Sequence, residues 1–154
     1  MLLVFSGCKA KSEDLTFYVL KKADFNADMT ESAMLSAAKE KGRVAFTGAE
    51  LEGWLWSDHI VRLKNVNVKN STVDGSVLFQ TASGDAFVLV LGKQLLYSGG
   101  FSENNAGVYI RDVGEKDFEL CFSDPFGDLA DPRGNTALYN FLIDRQLLVS
   151  ELKE

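Results

Sequence analysis

The sequence has few of the residues and motifs from which catalytic centres are usually built. Its 154 residues include one histidine, His59, and two cysteines, Cys8 and Cys121. The patterns GxGxxG, GxSxG, HExxH and CxxC are absent, and so is a P-loop. An enzyme on this chain would need scattered residues, so we expect no catalytic residue, no cofactor and no bound metal.

Positive charge and long apolar runs are also scarce. Lysine and arginine number 16 against 22 acidic residues, which gives a net charge of −6. Such a chain repels phosphate backbones, and its basic residues are scattered, so we expect no nucleic-acid partner. The apolar run Leu2–Phe5 is short, and a helix over residues 1–7 would be only about 10 Å long, against about 30 Å of bilayer hydrocarbon, so it cannot span a membrane.

The first 14 residues have a composition of their own. An apolar run is followed by Ser6, Gly7 and Cys8, and the chain then turns polar in KAKSED. This order resembles the lipobox of bacterial lipoproteins, in which a cysteine after a small residue is acylated and becomes the mature N-terminus. The resemblance predicts a lipoprotein signal over residues 1–8, a tether over residues 9–14 and lipidation at Cys8. The apolar region of this segment is short for a signal, which indicates a misassigned or truncated start. The alternative to a lipoprotein signal is an ordinary first strand with a buried free cysteine.

Residues 15–154 are the length of a single globular domain. Alternating or continuous apolar runs predict a mostly antiparallel sheet, and residues 86–97 predict a hairpin that turns at Gly92 and Lys93. Thr30 is positioned to cap a short N-terminal helix, and Asp131 with Pro132 to begin an amphipathic C-terminal helix on one sheet face. The class is therefore α+β. The strands are expected at 15–20, 44–46, 61–63, 66–68, 87–91, 94–97, 107–113 and 117–122, and the apolar stripe of the last helix at Leu138, Phe141, Leu142 and Leu148.

Individual residues suggest a binding surface more than an active site. A general base at His59 would need an orienting carboxylate and a nucleophile, and neighbouring Asp58 points away if the segment is extended. Asp124, Asp128 and Asp131 have the wrong spacing for a calcium loop, and Asp124 and Asp131, each followed by a proline, are better explained as turn and cap residues. Loops on rigid scaffolds often carry function, so we predict a contact surface from a tryptophan segment and a glycine-rich loop. Its residues are Trp54, Trp56, His59, Tyr97, Gly99, Gly100 and Phe101.

The stretches LTFYVLKKADFN, LEGWLWSDHIVRL, AFVLVLGKQLLYSGGF and DPRGNTALYNFL together resemble a family of uncharacterised bacterial lipoproteins. Gly100 departs from the family, where alanine is common, and Ser102 stands where tryptophan is usual. The resemblance implies an envelope protein that faces outside the cytoplasm and is anchored in the membrane by its N-terminal lipid. We expect a non-catalytic domain that binds a protein, small molecule or glycan. The alternatives are a hydrolase using His59 with acidic partners, and a structural subunit of an envelope assembly.

Overall fold

The computed structural model describes residues 14–26, 28–69, 79, 81–82, 84–102 and 106–153. Cys8 and residues 9–13 lie outside these ranges, as do residues 103–105 of the predicted glycine-rich loop. The strands are β1 (Leu15–Leu20), β2 (Arg43–Thr47), β3 (Leu51–Leu55), β4 (Ile60–Leu63), β5 (Ala86–Leu91), β6 (Gln94–Gly100), β7 (Gly107–Asp112), β8 (Asp117–Ser123) and β9 (Leu148–Val149). The helices are α1 (Glu31–Lys41) and α2 (Thr136–Asp144), with a helical turn at Val66–Lys69 and 3-10 turns at Lys22–Asp24, Gly48–Glu50 and Pro132–Gly134.

The nine strands within the described residues form one sheet in the order β2-β1-β5-β6-β7-β8-β4-β3-β9. Only the 3-10 turn Gly48–Glu50 joins β2 to β3, so Thr47 and Leu51 can lie at most about 15 Å apart. In a flat sheet, seven strand spacings would separate β2 from β3 by about 34 Å. The sheet must therefore curl until these two distant strands approach each other, and the curl encloses an interior.

Phenylalanine fills that interior. The rings of Phe17 and Phe46 stack with their centroids 4.7 Å apart, and those of Phe17 and Phe87 stack at 5.0 Å. Phe79 and Phe118 pack around them, and all five side chains are buried. This interior cluster contains most of the buried apolar residues in the described part of the chain, and its packing gives the curled sheet a fixed shape.

The two helices cover opposite faces of the sheet. Met34, Ala37 and Ala38 of α1 pack against Val88 and Val90, whose side chains alternate with those that β5 sends into the interior. From α2, buried side chains join the interior cluster instead. They are Leu138, Phe141 and Leu142. The predicted α+β class, with a mostly antiparallel sheet and a helix near each end of the domain, is confirmed.

Capping explains where the elements begin. The Thr30 hydroxyl accepts a hydrogen bond from the Ala33 N–H at 3.1 Å and starts α1, as predicted. At the other end of the domain, Asp131 caps the 3-10 turn that begins with Pro132, but α2 itself starts four residues later, where the Asn135 side chain caps it. The single helix start that we predicted therefore corresponds to two elements, the 3-10 turn capped by Asp131 and α2 capped by Asn135.

The sequence prediction is wrong in three places where apolar residues suggested a regular pattern. Val44 and Phe46 do not share a face, because a bulge at Ala45 pairs Phe46 with Phe17 but Val44 with Tyr18. The predicted strand at 66–68 is the helical turn Val66–Lys69, which the Asn65 side chain caps at the Asn67 N–H. Leu148 does not belong to the helix stripe, because it lies in β9 and pairs with Trp54.

The predicted hairpin is confirmed and is longer than expected. Gly92 adopts a φ of 62°, which lets the chain turn between β5 and β6. Strand β6 continues through Gly100, so the two glycines predicted to open a loop are strand residues. They pair in parallel with Val108 and Tyr109 at the start of β7, the one central pairing that is not antiparallel.

Candidate functional site

The residues Trp56–His59 form a tight turn between β3 and β4. The His59 N–H donates to the Trp56 carbonyl at 3.3 Å, and the His59 carbonyl accepts from Leu120 of β8 at 2.9 Å. His59 has a φ of 57°, a left-handed conformation that is uncommon for a residue with a side chain. The backbone bond to β8 holds this turn against the sheet and fixes where Trp56 and His59 lie.

Arg133, in the 3-10 turn before α2, is bonded to several groups beside this turn. Its guanidinium donates to both carboxylate oxygens of Asp131, from Nε at 2.9 Å and from Nη2 at 2.7 Å. A third nitrogen, Nη1, donates to the Leu120 carbonyl at 3.0 Å, and the group lies 5.6 Å from the centre of the Phe122 ring. These bonds hold the pKa of Asp131 below its ordinary value, so the pair is charged at neutral pH.

The environment of His59 does not provide a catalytic base–nucleophile pair. Burial lowers the pKa of the imidazole, and the positive charge of Arg133 acts in the same direction, although nearby carboxylates oppose them. In the described part of the chain no hydroxyl or thiol hydrogen bonds to the ring, and the Ser57 hydroxyl is directed at Asp58 instead, at 3.4 Å. The thiol of Cys121 is buried in β8, and burial raises its pKa, which disfavours a thiolate. The geometry therefore gives the hydrolase alternative no support.

Trp56 is the centre of an aromatic group at the surface. Its ring centroid lies 5.0 Å from that of Tyr139 in an edge-on contact, 6.1 Å from the His59 ring and 6.5 Å from Trp54. Tyr139 projects from the outer side of α2 and is 38% exposed. We call Trp56, His59, Arg133 and Tyr139 the Trp56 surface. It combines aromatic area, a neutral imidazole and a buttressed guanidinium, a set suited to holding a ligand by stacking and hydrogen bonds.

Two of the predicted surface residues are core residues. Trp54 is 2% exposed and Tyr97 is 5% exposed, so neither side chain can meet a ligand at the surface. The indole Nε1 of Trp54 and the hydroxyl of Tyr97 are both buried without a hydrogen-bond partner. Burial also raises the pKa of Tyr97, which keeps its hydroxyl protonated.

The other predicted residues near Tyr97 belong to the packing of β6. A Cβ on Gly99 would overlap the Val108 carbonyl oxygen and lie 2.5 and 2.8 Å from carbons of the Phe87 ring, so the glycine makes room for that ring. Gly100 is buried, and Phe101 packs against Phe79 and Phe87 with centroid separations of 6.3 and 6.0 Å. Burial therefore removes Trp54, Tyr97 and Gly100 from the predicted contact surface, whereas Trp56, His59 and Phe101 are half-buried.

Sequence reasoning missed Arg133 and Tyr139. Arg133 follows a proline in a segment that we interpreted only as a helix start, and nothing in its neighbours indicates a bond to a distant strand. Tyr139 lies next to the buried Leu138, on the side of α2 that an amphipathic pattern assigns to solvent. The one local signal in the sequence is the spacing of Asp131 and Arg133, which allows the bidentate ion pair that the structure shows.

The acidic residues predicted to be turn and cap residues have those roles. The Asp124 carboxylate accepts from the N–H groups of Asp128 and Leu129 at 3.1 and 3.3 Å, and Asp131 pairs with Arg133. Among the residues that the structure describes, no three histidine, cysteine or acidic side chains are placed to hold a metal ion.

Two grooves lie away from the Trp56 surface. One, of about 260 Å³, is lined by residues of β3, β4 and the C-terminal segment, where the Arg62 guanidinium bonds to the Lys153 carbonyl. The other, of about 590 Å³, lies between the start of α1 and the β5–β6 hairpin, with Lys93 and Asn135 at its rim. Neither groove contains any residue of the predicted contact surface.

The fold and this surface define a curled α+β domain in which aromatic side chains and an arginine lie together at the surface. Comparison of the chain with protein-family models, with curated proteins and with solved structures gives no match. Within the described ranges, no helix is long and apolar enough to cross a bilayer.

Proposed function

We propose that this protein is a lipid-anchored domain of the bacterial cell envelope that binds a ligand outside the cytoplasm without carrying out chemistry. The observation that carries the binding role is the Trp56 surface, where aromatic side chains stay partly exposed beside a fixed arginine. Among the residues that the structure describes, no hydroxyl or thiol hydrogen bonds to the neutral His59 ring, which favours binding over hydrolysis.

The anchoring half of the proposal depends on the run Leu2–Cys8. A short charged segment follows it, and the described domain begins directly afterwards, where the Asp14 carbonyl accepts from Gly92 at 2.9 Å. An acylated Cys8 would hold this domain at a membrane surface, because each buried CH₂ of an acyl chain adds about 0.8 kcal/mol and a lipoprotein carries more than one chain.

Mass spectrometry of the protein purified from its own host tests the anchor. We expect the mature chain to begin at Cys8 with a diacylglyceryl group, and Cys8→Ser to release the protein from the membrane fraction. An unmodified thiol on a protein recovered from the cytosol would refute the anchor.

Site-directed photocrosslinking tests the binding surface. A photoreactive phenylalanine in place of Tyr139 is expected to give a discrete adduct in living cells, and Trp56→Ala in the same chain to reduce that adduct several-fold. The matched control places the photoreactive residue at Val113, which is 41% exposed and lies outside this surface. Equal labelling from positions 139 and 113 would contradict the proposed contact.

A further inference from the structure

The segment of residues 124–131, here called the Asp124 loop, exposes a large apolar side chain on an ordered turn. Phe126 is 86% exposed, whereas the other phenylalanines of the described ranges are buried or half-buried. Leu129, three residues further on, is 43% exposed. Apolar groups left in water are normal singly, but a phenylalanine exposed to this degree at a loop tip is a candidate contact residue.

The loop is held in one conformation from within. Besides the two N–H groups that bond to the Asp124 carboxylate, the Gly127 N–H donates to the Asp124 carbonyl at 3.3 Å. Gly127 has a φ of 72°, which the turn after Phe126 requires. Phe126 is thus presented by a turn that needs little further ordering when it binds.

The base of the loop is fixed by Arg133, which also belongs to the Trp56 surface. Phe122 precedes the loop and lies under the guanidinium, while Asp131 ends the loop and forms the bidentate ion pair with it. The two contact elements are therefore attached to the same side chain. A partner engaged at one of them lies next to the other.

The charge of the loop indicates the chemistry of the partner. Asp124 and Asp128 flank Phe126, the loop contains no basic residue, and the whole chain carries a charge of −6. Anionic lipid headgroups would be repelled by these carboxylates, which argues against insertion into a membrane. A protein pocket lined with apolar groups and rimmed by lysine or arginine would complement both the ring and the charges.

We propose that the Asp124 loop inserts the Phe126 ring into an apolar, basic-rimmed pocket of a protein partner. The inference rests on the proposed binding function but is independent of the lipid anchor. A central aromatic side chain is the kind of residue that dominates such an interface, and the acidic rim sets the orientation and the salt dependence.

Photocrosslinking from position 126 of the full chain, in its own host, identifies the partner. We expect one protein adduct, and the captured protein is then purified for affinity measurements. Phe126→Ala should weaken binding at least tenfold, and Asp128→Lys should weaken it several-fold and flatten its dependence on salt. Val44→Ala is the control, because Val44 is 50% exposed on β2 and should leave the affinity unchanged. Unchanged urea midpoints would show that all three variants are folded.

The results that would refute insertion of Phe126 into a protein pocket are the following. An adduct with lipid, an adduct with a second copy of this chain, or a Phe126→Ala affinity within twofold of the parent overturns the inference. So does Phe126-dependent binding of the Cys8→Ser chain to phosphatidylethanolamine–phosphatidylglycerol vesicles. A discrete adduct from position 139 without a protein adduct from position 126 refutes the loop alone, whereas no adduct of any kind from either position refutes the proposed binding function as well.

Discussion

Replacing Gly99 with alanine tests the packing that turns the predicted glycine-rich loop into a strand. The added methyl group would overlap the carbonyl oxygen of Val108 in β7 and press on the Phe87 ring in β5. Carbon atoms in contact need about 3.5 Å, and the ring carbons lie at 2.5 and 2.8 Å. Either β6 must move away from β7 or the Phe87 ring must leave its place.

The cost of Gly99→Ala follows from the two neighbours it disturbs. Overfilling a packed core typically costs about 1–3 kcal/mol, and here part of the obstacle is backbone, which cannot rotate away. The pairing of β6 with β7 is also short, with Gly99 and Gly100 as its only register pairs. We therefore expect a loss of about 3 kcal/mol in the free energy of unfolding, or a fall of about 6–12 °C in Tm for a domain of this size.

Urea unfolding followed by tryptophan fluorescence measures this loss. Gly134→Ala is the matched control, since a Cβ there meets nothing within 4 Å. Its free energy of unfolding should stay within about 0.5 kcal/mol of that of the parent. If Gly99→Ala were as stable as the control, Gly99 would not lie between β5 and β7, and the placement of this segment in the sheet would be refuted.

Three further predictions concern polar groups. The pKa of His59 is lower in the folded state than the ordinary 6.5, so the unfolded chain binds the extra proton and acid destabilises the fold as the pH falls through about 6.5. In the His59→Asn variant, the urea midpoint should therefore depend less on pH in this range. NMR titration of the single imidazole should give a pKa below 6.5, and a higher value would contradict the structure. Tyr97→Phe removes a buried hydroxyl without a partner and should leave the protein equally stable or up to about 1 kcal/mol more stable in urea, whereas a loss of 1 kcal/mol would reveal a bond to that hydroxyl. Asp117→Asn breaks a bidentate pair with Arg62 whose side chains are each 15% exposed, and should cost about 2 kcal/mol by the same measurement; a loss below 0.5 kcal/mol would show that the pair is not structural.

Local patterns predicted the elements that are determined locally. The continuous apolar run of β5, the turn at Gly92 and the Thr30 cap are each specified by neighbours in sequence, and all three are confirmed. The strand predicted at residues 15–20 is likewise confirmed as β1, which pairs with β5 in a regular antiparallel register. These features gave the α+β class without any knowledge of which strands are neighbours.

The errors concern residues whose burial or strand pairing is determined by parts of the chain that are distant in sequence. One bulge residue, Ala45, moves Val44 to the other face, and no composition rule places a bulge there. Gly99 looks like a loop residue until the Phe87 ring occupies the space beside it. Trp54 and Trp56 share a face in an extended chain, yet β3 ends at Leu55, so the first tryptophan is buried and the second reaches the surface.

Arg133 links the two contact elements, and its chemistry explains why an arginine is suited to that position. Its guanidinium donates to both Asp131 oxygens and to the Leu120 carbonyl at once, and its central carbon lies 5.6 Å from the centre of the Phe122 ring. A lysine is a point charge on a flexible stem and could not make the planar, bidentate set of bonds. One rigid side chain therefore holds the base of the Asp124 loop, keeps Asp131 ionised and lends its charge to the Trp56 surface. Because the guanidinium is bonded on several sides, it would need little further ordering to bind the ligand that we propose.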